Sequence, residues 1–261
     1  MDSNINSMSN IKQHFFTIKE LTAREIKRKY ARSYLGIFWS MLHPLLYMVL
    51  MSMIFSTMYG KRHNDFALYF LTGYLIWSLF SNATKTSMTA LWDNKAFFAR
   101  FKQPKYLFVF SRIYTAFVNF LFSCIAYIIV TLFFGVKFSP SFFMIFADVF
   151  LCMLFIIGLS MILSLKYIDK RDIKYIYTNF LYLLIHLVGL YYPMEILPEN
   201  VRNFVNLIPV YLYIKTAREC ILEGVIPDEI TIISLVAWSL GVLFLGMIYY
   251  KSHEEKILKK L

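Results

Sequence analysis

Charged residues are scarce in this chain, and their scarcity excludes an ordinary soluble domain. Only 16% of the 261 residues are Asp, Glu, Lys or Arg, whereas about 25% is usual in soluble domains. Hydrophobic residues make up 59%, which is more than a soluble chain of this length could bury in its interior. The composition therefore predicts an integral membrane protein.

Cysteine is also scarce, and motifs for covalent chemistry are missing. Cys124, Cys152 and Cys220 are odd in number and show no CxxC spacing, so neither a disulfide framework nor a zinc site is indicated. The sequence contains no GxxxxGK[ST] phosphate loop, no HExxH pair and no credible Ser/His/Asp set. We therefore expect no catalytic residues, no metal and no enzyme activity. Energy for uphill transport would have to come from another chain or from an ion gradient.

A cleavable signal peptide is not visible, because the first thirty residues are polar and charged. The first apolar segment is therefore expected to act as an uncleaved membrane anchor. The net charge of +11 comes from short basic clusters between apolar segments. That distribution is typical of charges that fix membrane topology rather than of nucleic-acid binding.

Six segments approach the length of about 20 apolar residues that a bilayer crossing needs. If both termini are cytoplasmic, 21 of the 27 Lys and Arg residues fall on the cytoplasmic side, which is the arrangement that membrane insertion favours. The predicted fold class is an all-α membrane protein, with a cytoplasmic segment (1–34), a six-helix transmembrane domain (35–250) and a cytoplasmic tail (251–261). The six segments are Leu35–Tyr59, Phe66–Thr84, Ile113–Val136, Phe138–Leu165, Tyr175–Met194 and Ile230–Tyr250.

The stretch Asn10–Tyr34 lacks helix breakers and repeats apolar residues at helical spacing, so it predicts an amphipathic helix along the cytoplasmic interface. Its basic residues either only fix the topology or also receive the anionic head group of a lipid substrate. The residues expected at head-group entry are Arg24, Lys27, Arg28 and Arg32.

Two short helices, Glu199–Leu207 and Val210–Glu223, are predicted between the fifth and sixth segments, because Pro198, Pro209 and Gly224 mark a start, a break and a stop. We expect this pair to dip back from the outer surface. A lid with packing duties alone is the alternative.

The cytoplasmic turn at about 91–103 carries more aromatic surface than a solvated loop would keep. A short amphipathic helix that ends near Pro104 would suit docking into a groove on a soluble partner; a helix on the lipid interface is the alternative. The expected docking residues are Trp92, Phe97, Phe98, Arg100 and Phe101.

The stretch "LTAREIKRKYARSYLGIFWSMLHPLL" resembles the N-terminal signature of permease subunits of type-2 ABC exporters for lipid-linked polysaccharides such as O-antigens, capsular polymers and teichoic acids. Further matches are "FLTGYLIWSLFSNAT", "KRDI" and "YYPMEILPEN". The chain departs from the family pattern where Ile208-Pro209 replaces the usual Asn-Pro, and where Lys-Gln-Pro-Lys replaces Phe-Pro-Lys.

This resemblance implies a homodimer in the bacterial plasma membrane, with two copies of a separate ATPase that binds ATP and Mg²⁺; no cofactor is expected on this chain itself. It implies that a lipid-linked polysaccharide moves from the cytoplasmic to the outer face. It also implies that Trp92–Lys102 is a coupling helix and that Glu199–Glu223 forms an outer gate, with Phe204, Tyr211 and Arg218 as its candidate residues.

Aromatic residues make up 19% of the chain. Sugar rings pack their C–H faces on aromatic side chains, so an aromatic-lined conduit could let a glycan slide, although Trp and Tyr also gather at membrane interfaces. The channel-lining candidates are Tyr47, Tyr69, Trp77, Tyr182 and Asp148. Asp148 is the only acid within a predicted crossing and should face the dimer interior or a polar partner.

Two rival functions remain open from the residues alone. A type-2 ABC exporter for a small lipophilic compound would share the fold but would show an apolar pocket open to lipid, whereas polymer export predicts a wide continuous channel. An ion-coupled secondary transporter would usually show internal repeats, and none is evident.

Overall fold

The computed structural model describes residues 2–31, 33–59, 66–98, 104–136 and 139–259. Within these ranges the chain is helical, and short 3₁₀ turns at Gly36–Phe38, Pro140–Phe143 and Met194–Ile196 and a π-helical turn at Glu219–Glu223 join or extend the helices. The α-helices are α1 (Asp2–Tyr30), α2 (Trp39–Tyr59), α3 (Phe66–Asp93), α4 (Lys95–Phe98), α5 (Tyr106–Phe133), α6 (Met144–Asp169), α7 (Ile173–Leu187), α8 (Glu199–Val205), α9 (Pro209–Arg218) and α10 (Glu229–Leu258).

Five helical segments in the described part of the chain are long and apolar enough to cross a membrane: Gly36–Phe55, Phe66–Asp93, Tyr106–Phe133, Pro140–Asp169 and Glu229–Ile257. They correspond to five of the six predicted crossings. The remaining one, Tyr175–Met194, overlaps α7, which begins at Ile173, has 15 residues and therefore spans about 22 Å. It ends before Gly189, whose φ of +60° suits a turn rather than a helix.

Two of the long helices extend well beyond the apolar segments that predicted them. Helix α3 continues past Thr84 to Asp93, and α5 begins at Tyr106 rather than at Ile113. Hydropathy marks the part of a helix that lipid can surround, whereas the helix itself continues as long as backbone hydrogen bonds and packing support it. Lys85 and Arg112 therefore lie inside helices rather than in a loop.

Helix α3 is the centre of the bundle. Within its apolar window 72% of the residues are buried inside the chain, compared with 11–28% in the other four long segments. Hydroxyl groups join it to its neighbours, because Thr72 shares a 2.7 Å hydrogen bond with Tyr127 and Ser87 donates one of 2.7 Å to Ser160. Interhelical hydrogen bonds of this kind contribute about 0.6 kcal/mol each in membrane proteins.

Pro44 lies inside α2 and leaves the carbonyl of Ser40 without the helical N–H that would normally bind it. The hydroxyl of Ser123 on α5 donates a hydrogen bond of 2.7 Å to that carbonyl. The proline is tolerated because a neighbouring helix satisfies the oxygen that it frees.

Helix α1, which was predicted to lie along the cytoplasmic interface, packs against α5. The hydroxyl of Thr22 donates to the carbonyl of Ser111 at 3.2 Å, and the hydroxyl of Tyr30 donates to Asn119 at 3.3 Å. The helix ends at Tyr30, before the expected Tyr34, and Gly36 with a φ of +49° turns the chain into α2. The two bonds hold α1 along the first turns of α5.

Helices α6 and α10 approach each other most closely at Gly158 and Gly246. A Cβ atom at Gly246 would overlap the backbone of Gly158, and one at Gly158 would overlap the backbone of Val242. Small residues at such a contact let two membrane helices pack backbone to backbone.

Gly246→Ala is therefore expected to push α10 away from α6 and to destabilise the protein by about 1–3 kcal/mol. Thermal melting of the purified protein in detergent measures the effect. Gly241→Ala is the matched control, because a Cβ atom at Gly241 has no other atom within 4 Å. Equal melting temperatures for the two variants would contradict the close packing at Gly246.

Candidate functional site

A cavity of about 770 Å³ lies between α1, α2, α3, α5 and α7. Helix α3 lines it from Tyr74 to Thr86, a distance of about 18 Å along the helix axis. Its two ends differ in chemistry. The cationic end is defined by Arg28, Lys29, Lys85 and Arg112 together with Glu25, and the aromatic end is defined by Tyr47, Tyr74, Trp77 and Tyr182.

An ion-pair network organises the cationic end. Nε of Arg112 on α5 lies 2.6 Å from Oε1 of Glu25 on α1, and Nη2 of Arg112 lies 3.2 Å from Oδ2 of Asp93 at the end of α3. The side chains of Glu25 and Arg112 are each only 14% exposed. Burial raises the pKa of Glu25, while the nearby charges of Arg112 and Arg28 oppose that rise. The network joins three helices.

Arg112 was not singled out as a site residue by the sequence, where it counted only as a topology-determining charge. The sequence does contain a pattern that includes Arg112, because the polar residues Thr115, Asn119 and Ser123 follow it at spacings of three, seven and eleven. Those four residues lie on one face of α5 and line the cavity. A polar face on an otherwise apolar helix could have identified them.

The basic residues expected at head-group entry separate in the structure. Arg28 lines the cavity, whereas the guanidinium of Arg24 lies 4.4 Å from the ring centre of Phe97 and Lys27 is exposed outside the cavity. Arg32 lies outside the described residues. Of the described members of this cluster, only Arg28 is therefore in position to meet a ligand inside the large cavity.

Three of the five channel-lining candidates share the aromatic end. Tyr47 packs edge-on against Tyr74, with 5.2 Å between ring centres, and its hydroxyl lies 2.9 Å from that of Tyr191. Trp77 is 5% exposed and Tyr182 63% exposed. The ring of Trp77 is therefore part of the cavity wall, and the ring of Tyr182 borders an open side of the cavity. The sequence-based proposal that Tyr47, Trp77 and Tyr182 line a substrate path stays a prediction, now with a cavity that brings them together.

Tyr69 and Asp148 are not among the residues that line this cavity. Asp148 on α6 is 2% exposed, and neither carboxylate oxygen has a hydrogen-bond partner in the described part of the chain. That Asp148 faces a dimer interior stays a prediction; the alternative, a polar partner, is absent from the residues that the structure describes.

Tyr69 instead contacts Arg218, one of the candidate gate residues. The guanidinium of Arg218 lies 3.5 Å from the ring centre of Tyr69 and donates hydrogen bonds to the carbonyls of Tyr69 at 3.2 Å and Gly189 at 2.9 Å. Gly73 leaves room for it, because a Cβ atom there would lie 2.6 Å from Nη2 of Arg218. Arg218 thus connects α9 to α3 and to the turn that follows α7.

The other two candidate gate residues occupy different environments. Tyr211 on α9 is 6% exposed and belongs to the core, whereas Phe204 on α8 is 59% exposed. Helix α9 is therefore fixed in the bundle, and α8 presents its aromatic side chain outward. Helix α8 lies within the predicted Glu199–Leu207, whereas α9 begins one residue before the predicted Val210 and the π-helical turn continues it to Glu223; the role of the pair as a gate stays a prediction.

The residues expected to dock a partner are folded partly onto the chain itself. Trp92 is the penultimate residue of α3, and its ring is flanked by Lys95 Nζ at 3.9 Å and by the guanidinium of Arg171 at 3.8 Å. Phe98 packs edge-on against Phe108 at 5.1 Å. Of the other expected docking residues, Phe97 lies under Arg24, and Arg100 and Phe101 lie outside the described residues.

The segment predicted as a single coupling helix at about 91–103 is divided where the structure describes it, at residues 91–98. Its first part belongs to α3, a turn follows at Asn94, and α4 covers only Lys95–Phe98. Lys95 and Ala96 are its exposed residues. The aromatic rings that suggested docking are half-buried because they pack against Arg24, Phe108 and Arg171.

A family model described as the ABC-2 type transporter matches residues 17–222, and the chain belongs to this family. It is a multi-pass membrane protein, and permeases of this family work with a separate ATPase subunit.

Two kinds of curated relatives are similar over almost the whole chain. The O-antigen export system permease protein RfbA of Myxococcus xanthus is 24% identical over 244 residues, covering 92% of this chain and 94% of the relative. The protein of the same name from Klebsiella pneumoniae is 22% identical over 231 residues, with coverages of 87% and 88%. The polysialic acid transport protein KpsM of Escherichia coli is 22% identical over 253 residues, with coverages of 93% and 95%.

Arg218→Met is expected to destabilise the protein by about 2–3 kcal/mol, because it removes two hydrogen bonds from a buried charged group to backbone carbonyls. Thermal melting in detergent is the measurement. Lys215→Met is the matched control on the same helix, since Lys215 is 31% exposed and reaches Glu219 and Asp228 only at 3.5 and 3.7 Å. Its loss should cost about 1 kcal/mol or less. An equal loss of stability in both variants would refute the anchoring role of Arg218.

Proposed function

We propose that this chain is the membrane-spanning subunit of an ATP-driven exporter that moves a lipid-linked polysaccharide from the cytoplasmic to the outer face of the bacterial plasma membrane. The observation that carries the proposal is the cavity with a cationic end and an aromatic end. A lipid-linked glycan has the same division, because a phosphate or pyrophosphate joins the lipid to the sugars.

The chemistry of the two ends matches that cargo. Arginine and lysine form strong charge-assisted hydrogen bonds to phosphate oxygens. The faces of aromatic rings carry partial negative charge and attract the C–H faces of sugar rings. Helix α3 contributes to both ends, so a phosphate held near Lys85 and Arg28 would place the first sugars toward Trp77 and Tyr74.

The proposed topology has both termini in the cytoplasm and six crossings. In this arrangement α7 and the turn that follows it complete the fifth crossing, although α7 alone is only about 22 Å long. Arg218 supports this assignment, because it holds the end of α7 through the carbonyl of Gly189. Helices α8 and α9 then lie at the outer side, where they would form the gate.

The energy for export is proposed to come from two copies of a separate ATPase, which would hold ATP and Mg²⁺, acting on a homodimer of this chain. The segment from Trp92 to α4 would receive the force. Its coupling to the rest of the protein is direct, because Arg24 of α1 and Arg171 of the α6–α7 turn stack on Phe97 and Trp92. A displacement of α4 would therefore move α1, which forms one wall of the cavity.

Export of a small lipophilic compound fits the cavity less well. The lining includes apolar side chains that such a cargo would need, among them Leu75, Leu79 and Phe120, but it also carries four basic residues, which favour an anionic cargo. Membership in the ABC-2 type transporter family also argues against an ion-coupled secondary transporter.

Arg28→Glu is expected to abolish polysaccharide export, because it would place a negative charge where the phosphate of the cargo enters the cavity. Surface polysaccharide on intact cells measures export. Lys27→Glu is the matched control, since Lys27 is the preceding residue, carries the same charge and lies outside the cavity. Loss of export in both variants, or in neither, would contradict the assignment of Arg28.

Ala96→Glu is expected to reduce co-purification of the ATPase by about tenfold, because a carboxylate buried in the docking surface costs about 1–3 kcal/mol. Ala96 is exposed on α4, so the change should leave the fold intact. Phe98 is a poorer target because it packs on Phe108. Ser252→Glu, at an exposed position on α10, is the control. Unchanged ATPase recovery with Ala96→Glu would exclude α4 from the interface.

A further inference from the structure

A polar stripe follows one face of α3 into the bundle. Ser78, Ser81, Asn82, Lys85 and Thr86 are spaced by three, four, seven and eight residues, and all five line the large cavity. Polar and charged residues inside a membrane helix are unfavourable unless they face a polar space or a partner. The stripe therefore indicates that this face of α3 meets water or a polar ligand.

Most of the stripe is satisfied by the helix itself. The amide of Asn82 donates to the hydroxyl of Ser78 at 3.0 Å, and the hydroxyl of Thr86 donates to the carbonyl of Asn82 at 2.7 Å. Lys85 is the exception. In the described part of the chain its ammonium group has no hydrogen bond and no ion pair, although the residue is half-buried and lies eight residues before the end of α3.

The carboxylate of Glu25 cannot serve as a fixed counter-charge for Lys85. Glu25 is the only carboxylate that lines the cavity among the described residues, and it is held 2.6 Å from Arg112 and 3.4 Å from the hydroxyl of Thr115. Arg28 likewise has no carboxylate within 4 Å in that part of the chain. Three basic side chains on the cavity wall, Arg28, Lys29 and Lys85, therefore form no salt bridge within the described residues, and Nζ of Lys29 lies 5.1 Å from the ring centre of Tyr30.

We propose that Lys85 is the residue that binds the phosphate group of a lipid-borne ligand inside the cavity, with Arg28 as the second cation. Lys85 and Arg28 both line the cavity and form no salt bridge within the described residues, which favours an anion between them, and a phosphate accepts several hydrogen bonds from lysine and arginine at once. Ser81 and Asn82 lie on the adjoining part of the same face, where they would meet hydroxyl groups next to the phosphate. The assignment deepens the proposed export function and, for its biological meaning, rests on it.

The test measures binding without transport and without the ATPase. The full chain, purified in phosphatidylcholine nanodiscs, is titrated with radiolabelled farnesyl phosphate, and unlabelled farnesol, phosphatidate and inorganic phosphate serve as competitors. Lys85→Met should weaken binding by about tenfold to a hundredfold, the loss expected for a charge-assisted hydrogen bond. Lys85→Arg should retain most of the affinity because it keeps the positive charge.

Lys166→Met is the matched control, because Lys166 is exposed on α6 and does not line the cavity. Lys85→Gln provides a second neutral variant in case Lys85→Met does not fold, and thermal melting checks each protein. Unchanged binding by the neutral variants would overturn the proposal and would leave Lys85 as a side chain that only extends to the interface. Competition by farnesol as strong as that by farnesyl phosphate would also overturn it.

The competitors distinguish the sources of the phosphate. Competition by phosphatidate equal to that by farnesyl phosphate would support a phosphate site that ordinary membrane lipids occupy. Weaker competition by phosphatidate would support an isoprenoid carrier. Binding that depends on Lys85 together with normal export by Arg28→Glu would retain the phosphate site and refute polysaccharide export through this cavity. Binding that does not depend on Lys85, together with loss of export by Arg28→Glu, would refute the phosphate site but not polysaccharide export.

Discussion

Charged and polar groups inside an apolar helical bundle are unfavourable unless they find partners, and the ion pair between Glu25 and Arg112 provides partners for two of them at the wall of the cavity. The pair is 2.6 Å long and nearly buried, and Asp93 joins it from α3. Together with the hydrogen bonds from Thr22 and Tyr30, it holds the polar helix α1 along α5. Because α1 forms one wall of the cavity, its docking also creates the cationic end.

The same requirement shapes the rest of the bundle. Arg218 satisfies the carbonyl of Gly189 at the end of α7, and Ser123 satisfies the carbonyl that Pro44 leaves free in α2. Hydroxyl groups on α3 bind neighbouring helices or their own backbone. Two charged groups differ from these within the described residues: the buried carboxylate of Asp148 has no hydrogen-bond partner, and the half-buried Lys85 faces the cavity without a salt bridge. A ligand of opposite charge can pair with such a group on a cavity wall.

Much of the fold could be predicted from hydropathy and helix breakers. Five crossings and the two helices α8 and α9 lie where apolar length, Pro198 and Pro209 placed them. The end of α3 and the start of α5 were predicted nine and seven residues too short, because hydropathy detects contact with lipid and not the continuation of a helix. The candidate site was predicted less well: Tyr47, Trp77, Tyr182 and Arg28 share one cavity, whereas Tyr69 packs on Arg218 and Asp148 is buried elsewhere.

The sequence by itself determined that the protein is an integral membrane protein of several apolar helices, that its basic residues gather between them, and that its first segment resembles a family of exporter permeases. Only the tertiary structure decided that Arg28 rather than Lys27 faces the cavity, and that Arg112 and Lys85 belong to the same site. The physical reason is rotation about the helix axis. Neighbouring residues on a helix point about 100° apart, and the direction in which each one points is set by the packing of that helix against all the others.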